Sequence, residues 1–110
     1  MIDNTREYIL CAAIWFDDGV VHAHQPKNID IGIVYMGHRH CNCFASVGGL
    51  VRERQEMGIY EKSQGFLTSH NRYVTREEAA EIALSIGQFA NDEEREEVEK
   101  THYLYSENIY

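Results

Sequence analysis

Tyr8-Ile9-Leu10-Cys11-Ala12-Ala13-Ile14-Trp15-Phe16 is apolar almost throughout. A strand with one wet face alternates apolar and polar residues, whereas an unbroken apolar run marks both faces as covered. The run is strand-sized and too short for a helix, so it reads as the central strand of a sheet. Asp17-Asp18-Gly19 closes it. Asp-Gly after an apolar run is a hairpin signal, which predicts Val20-Val21-His22-Ala23 as the returning strand. The single proline, Pro26, marks a loop over His24–Asn28. Ile31-Gly32-Ile33-Val34-Tyr35-Met36 then reads as a further strand that stops at Gly37.

Helical periodicity begins at Cys41 and runs to about Gln55, with Phe44, Val47, Gly48 and Val51 at i, i+3, i+4 and i+7. Gly58 ends that segment. Gly65–Ser69 and Tyr73-Val74 read as extended pieces around a turn at Ser69-His70-Asn71, since Asn tolerates the left-handed region. Thr75-Arg76-Glu77-Glu78 has the capping-box pattern of a helix start. Ala79, Ile82, Ala83 and Ile86 form one apolar stripe beyond it, and Gly87 is placed to end the helix. The charge run Asp92–Glu97 reads as a solvated loop or short exposed helix. Thr101–Tyr110 is too aromatic for a frayed tail and is expected to dock as a last strand or in a partner subunit. These elements predict an α+β fold: an antiparallel sheet of four to six strands with two helices packed on one face. No linker or repeat divides residues 1–110, which read as a single compact domain.

The chain has 110 residues, 44% of them hydrophobic, and a formal charge of −8. That apolar content belongs to a folded domain rather than an acidic tail. The acidic balance argues against long nucleic acids and against a polybasic membrane anchor. No run approaches the ~20 apolar residues of a transmembrane helix. Asp3 and Glu7 stand where a signal peptide would be basic, which points to the cytosol. The odd count of cysteines, Cys11, Cys41 and Cys43, then suggests reduced thiols, with Cys11 in the core.

Two constellations could carry chemistry. Gly37-His38-Arg39-His40-Cys41-Asn42-Cys43-Phe44 lies where a strand gives way to a helix. Free amides at a helix start and the donor fork of Arg39 suit an anion, and phosphate in particular. The rival there is a surface arginine with two satisfied histidines. Zinc fits poorly, because His-x-His and Cys-x-Cys are closer than the usual pairs of zinc ligands. A nucleophilic Cys–His pair has no evident third group to orient its base. In Gly65–Arg76, Phe66 or Tyr73 could stack on a base, Thr68 and Asn71 could read polar edges, and Arg72 or Arg76 could meet phosphate. The rival is a turn feeding a capped helix, with both aromatics in the core. No carboxylate pair sits in an apolar setting, so general acid–base catalysis has no candidate and binding is favoured over turnover.

The ordered blocks Ile9–Phe16, Gly37–His40 with Phe44, Gly65–Thr68 with Asn71–Ala79, Ile82-Ala83 and Gly87-Gln88, and Leu104–Tyr110 resemble the first family of Thoeris anti-defence proteins of bacteriophages. Thoeris defence signals through cyclic ADP-ribose isomers made by a TIR-domain enzyme. The resemblance implies a non-enzymatic sponge, without cofactor or metal, that binds glycocyclic ADP-ribose isomers in the cytoplasm of the infected bacterium. It implies a dimer-based homo-oligomer, up to a hexamer, with pockets between subunits and cyclic oligonucleotides at a second site. The ligand-binding residues on that basis are Arg39 and Arg72 for phosphate, with His40 beside them, Phe66 for adenine, and Thr68 and Asn71 as polar readers. The resemblance also implies a place for Ala12 or Ala13 at the second, symmetry-axis site. Asn108 replaces the family's Asp and His38 a commoner Arg. The alternatives are a His/Cys-centred nucleotide hydrolase or transferase, and an adaptor that binds a host protein through its acidic face.

Overall fold

The computed structural model describes residues 6–47 and 61–110. β1 (Ile9–Phe16) is a central strand of a four-stranded antiparallel sheet, with β2 (Ile33–Gly37) on one side and β3 (Glu61–Thr68) on the other. β4 (Tyr73–Thr75) forms the far edge, so the order is β2-β1-β3-β4. Ala12 pairs with Gly37 and Phe66, and Ile14 with Tyr35 and Gln64. A register shift between Ile9 and Cys11 leaves Leu10 exposed.

Three α-helices are described: α1 (His40–Val47), α2 (Arg76–Ile86) and α3 (Asp92–Thr101). A 3-10 turn, Ser106–Asn108, follows them. Ala12, Ile14, Phe16, Phe66 and Val74 of the sheet form one buried cluster with Cys43 of α1, Ala79, Ala80 and Ala83 of α2, Val98 of α3, and Leu104. Small alanines let α2 lie close to the strands, and full burial of Phe66 or Ile14 contributes about 2–3 kcal/mol each. The capping box is present: Thr75 accepts from the Glu78 amide, Glu78 from the Thr75 amide, and Gly87 ends the helix in the left-handed region.

The expected fold class holds. The charge run takes the second of its two expected forms, a short exposed helix; it is capped by Asn91, anchored by the buried Val98, and adds a third helix to the two expected. The helix expected to reach Gln55 begins at His40 and is described to Val47; Gly48, Val51 and Gly58 lie outside the described residues. The hairpin after β1 does not form. The Asp17 carboxylate accepts from the Gly19 amide and the Asp18 carboxylate from the Val20 amide, and these local bonds turn the chain away. Val20 and Val21 stay exposed, the latter at 76%.

Residues 17–32 instead cover the second face of the sheet. Ile29 packs there against Ala13, Val34 and Tyr73, alongside Trp15. The same loop reaches both sheet edges. The Gln25 side-chain Oε1 accepts from the Val34 amide of β2 at 2.8 Å. The Asn28 side chain accepts from the Tyr73 amide at 2.8 Å and donates to its carbonyl at 2.6 Å. Gly32 makes this return possible: its φ is +94°, and a Cβ would stand 2.4 Å from the Phe16 carbonyl oxygen.

The C-terminal segment adds no strand and docks on its own chain. The Leu104 amide donates to the Arg76 carbonyl, and the Ala90 amide to the Asn108 carbonyl. Asn108 is buried, accepts from the Tyr105 amide and donates to Glu94 at 2.6 Å. An ionised Asp could not make that donation, which accounts for Asn at this position. Cys11 is only half-buried; the cysteine in the core is Cys43.

Candidate anion-binding site

β2 ends at Gly37, where a Cβ would lie 2.9 Å from the backbone of Asn42 and Cys43. The glycine lets α1 start directly against the strand end. The Arg39 carbonyl accepts from the Asn42 and Cys43 amides, while the Asn42 side chain accepts from the Arg39 amide. His38, Arg39 and His40 are thereby set at one junction.

The C-terminal segment packs on that junction. The Tyr110 ring stacks on His38 at 4.0 Å, and its hydroxyl donates to the Leu10 carbonyl at 2.9 Å. The Arg39 guanidinium lies 5.9 Å from the centre of the same ring. Its Nη1 stands 3.7 Å from Glu107, too far for a hydrogen bond, and is buried with no hydrogen-bond partner. The Arg39 side chain as a whole is 33% exposed.

His40 is half-buried, with Nε2 2.7 Å from the Gly65 carbonyl oxygen and its ring edge-on to Phe66 at 5.1 Å. A carbonyl only accepts, so Nε2 carries the proton. Burial lowers the pKa of His40 below the ordinary imidazole value; Arg76 adds to this and Glu107 opposes it. Arg76 is 8% exposed and donates to the Leu104 carbonyl and to Gln64. It is ringed by Tyr105, Tyr103 and Phe66 at 4.9, 5.8 and 5.9 Å. Among the described residues no carboxylate forms an ion pair with Arg76. Two cations, a neutral imidazole and four aromatic rings therefore converge where β2, α1, α2 and the C-terminal segment meet.

The other proposed contacts are placed differently. Arg72 grips Glu7 through Nε at 2.8 Å and Nη2 at 2.7 Å. Thr68 is fully buried and its hydroxyl donates to the same carboxylate at 2.5 Å. The Arg72 guanidinium holds the Glu7 carboxyl down at about 2, so the pair is ionic across the neutral range. Both side chains thus pin the residues before β1 to the β3–β4 turn. Phe66 is fully buried and its ring is closed to a base in this conformation. Ala12 and Ala13 are fully buried in the middle of the sheet and present no surface for a second site. Asn71 is exposed in the turn at φ +57°, as its residue type suggested. Arg39 follows edge strand β2 and Arg72 precedes the opposite edge strand β4, so the sheet separates the two arginines.

The sequence reading missed Glu107 and Tyr110 as neighbours of Arg39, and Tyr105 as a neighbour of Arg76. The aromatic content of Thr101–Tyr110 was the available signal, but its docking place was not. Burial pushes the Cys43 thiol up to about 11 and raises that of Cys11, which leaves neither as a ready thiolate. Among the described residues no group of three or more His, Cys, Asp or Glu could hold a metal ion. No described helix is long and apolar enough to cross a membrane.

A family model described as Phage T4 y16D protein matches residues 8–110. No curated protein and no solved structure gives a significant match.

Proposed function

The chain belongs to the Phage T4 y16D protein family, and from that premise we propose that it is a phage anti-defence protein that sequesters cyclic ADP-ribose-type signals without degrading them. The ligands are the glycocyclic ADP-ribose isomers made by TIR enzymes, and the place of action is the cytoplasm of the infected bacterium. The protein works as a homo-oligomer, and its role is stoichiometric binding rather than catalysis.

One observation carries the reading. Arg39 has a buried Nη1 donor without a hydrogen-bond partner, in a setting of His40, Arg76 and exposed tyrosine that suits a phosphate joined to a base. A pyrophosphate offers several acceptor oxygens to such a fork, and Tyr105, exposed at 46%, offers a ring face to an adenine. Arg39 and His40 are therefore retained as ligand contacts, while Asn71 lies in the β3–β4 turn beside Arg72, outside this seat. Arg72 and Thr68 are assigned to the Glu7 pin. The resemblance to the Thoeris anti-defence family supplies the identity of the signal.

The test is retention followed by release. The protein is incubated with the cyclic nucleotide, separated from free ligand, and heated. Return of intact, effector-activating signal supports sequestration. A hydrolysed product, or no retention at all, would sink it.

An adaptor reading draws on α3, whose carboxylates line an exposed surface around the single buried Val98. A host protein retained at low salt and lost at high salt, with no nucleotide affinity, would favour that reading.

A further inference from the structure

Among the described residues Glu107 is the carboxylate that pairs with Arg39 of the proposed phosphate seat, and its fit is poor. At 3.7 Å it is within Coulombic reach of Arg39 Nη1 but makes no hydrogen bond. Its turn is fixed elsewhere: Asn108 is buried, bonded to Glu94 and to the Tyr105 amide, and the Ile109 amide closes on the Ser106 carbonyl. The Glu107 side chain is 66% exposed. It can swing into water at little desolvation cost, because its carboxylate is already largely hydrated.

We propose that Glu107 is a resident anion of the Arg39 seat, displaced when a phosphate-bearing ligand binds, and that it thereby sets the affinity of the site. This deepens the functional reading and rests on Arg39 being a phosphate contact. Nη1 is buried and Glu107 leaves it unsatisfied, so a diffusible phosphate reaches hydrogen-bond distance only by displacing what covers it. It must first separate Glu107 from Arg39, and it then meets a like charge if the carboxylate stays near. The Tyr110 ring lies beside the guanidinium, its centre 5.9 Å away, and gives it a support other than Glu107.

Titration calorimetry with two probes, a cyclic ADP-ribose isomer and inorganic pyrophosphate, tests this on wild type, Glu107→Gln, Arg39→Gln and the double variant. Circular dichroism confirms that each is folded. Glu107→Gln is expected to tighten binding about fivefold, the upper range for an exposed pair. Arg39→Gln is expected to weaken it more than about tenfold, and in its presence the Glu107 change is expected to have no effect. Equal binding by wild type and Glu107→Gln overturns the proposal while the sequestration reading stands. Arg39-dependent tightening for pyrophosphate, with no nucleotide binding by any form, supports the resident anion and overturns sequestration. Absence of binding by both probes overturns both.

Discussion

At the scale of single residues, Glu7 shows how a local charge pair reshapes a candidate site. Arg72 looked like a phosphate contact by residue type alone, and Glu7 lay 65 positions away in the chain. Folding brings them together, and the carboxyl falls from its usual 4.5 to about 2. A depressed folded pKa contributes stability that is fully present above about 4.5 and lost as pH falls toward about 2. The shift sets a ceiling of about 3 kcal/mol, which water around the partly exposed Arg72 reduces to about 1–2 kcal/mol. Glu7→Gln is therefore expected to destabilise the protein by that amount at pH 7. Urea unfolding at a series of pH values should show the gap between wild type and variant closing below about 4.5. A gap of constant size across that range would rule out the ionic pin.

At the scale of elements, propensity and capping were reliable where contacts are close in sequence. The Thr75–Glu78 box and the Asn91 cap are decided within one turn of chain. The left-handed Asn71 is likewise local. The hairpin after β1 failed for an equally local reason, because two aspartates bond the next amides and divert the backbone. What that diversion achieves is not local: the loop covers an apolar sheet face and satisfies Val34 and Tyr73 at opposite edges. Satisfied edges leave fewer open groups for unwanted strand pairing. Gly32 closes the loop, and a methyl group there meets Phe16 backbone while the positive φ strains any L side chain. Gly32→Ala is expected to cost about 2 kcal/mol or more, read as a lowered urea midpoint. It should also speed hydrogen exchange at the Val34 and Tyr73 amides, which the loop protects. Unchanged exchange at both amides would show that Gly32 does not hold the loop in place.

At the scale of the molecule, the net charge of −8 and the proposed anion site are compatible because the charges sit in different surroundings. The α3 carboxylates face solvent and are screened beyond about 8–10 Å. Arg76 is buried and Arg39 partly so, where screening is weaker. Native mass spectrometry with and without a cyclic ADP-ribose isomer is expected to show an oligomer that gains about one ligand per subunit. A monomer that takes up no ligand would contradict both parts of the functional proposal.

The amino-acid sequence by itself determined the central strand, the capped helix before Gly87, the helix start after Gly37 and the α+β class. Each follows from periodicity or from bonds between near neighbours in the chain, and such signals survive without a fold. Only the tertiary structure decided that Arg72 belongs to Glu7, that Phe66 lies under His40 and Arg76, and that Tyr110 comes to Arg39. Those pairings cross tens of residues. The free energy that selects them comes from burying the shared core, a property of the whole packed chain rather than of any one segment.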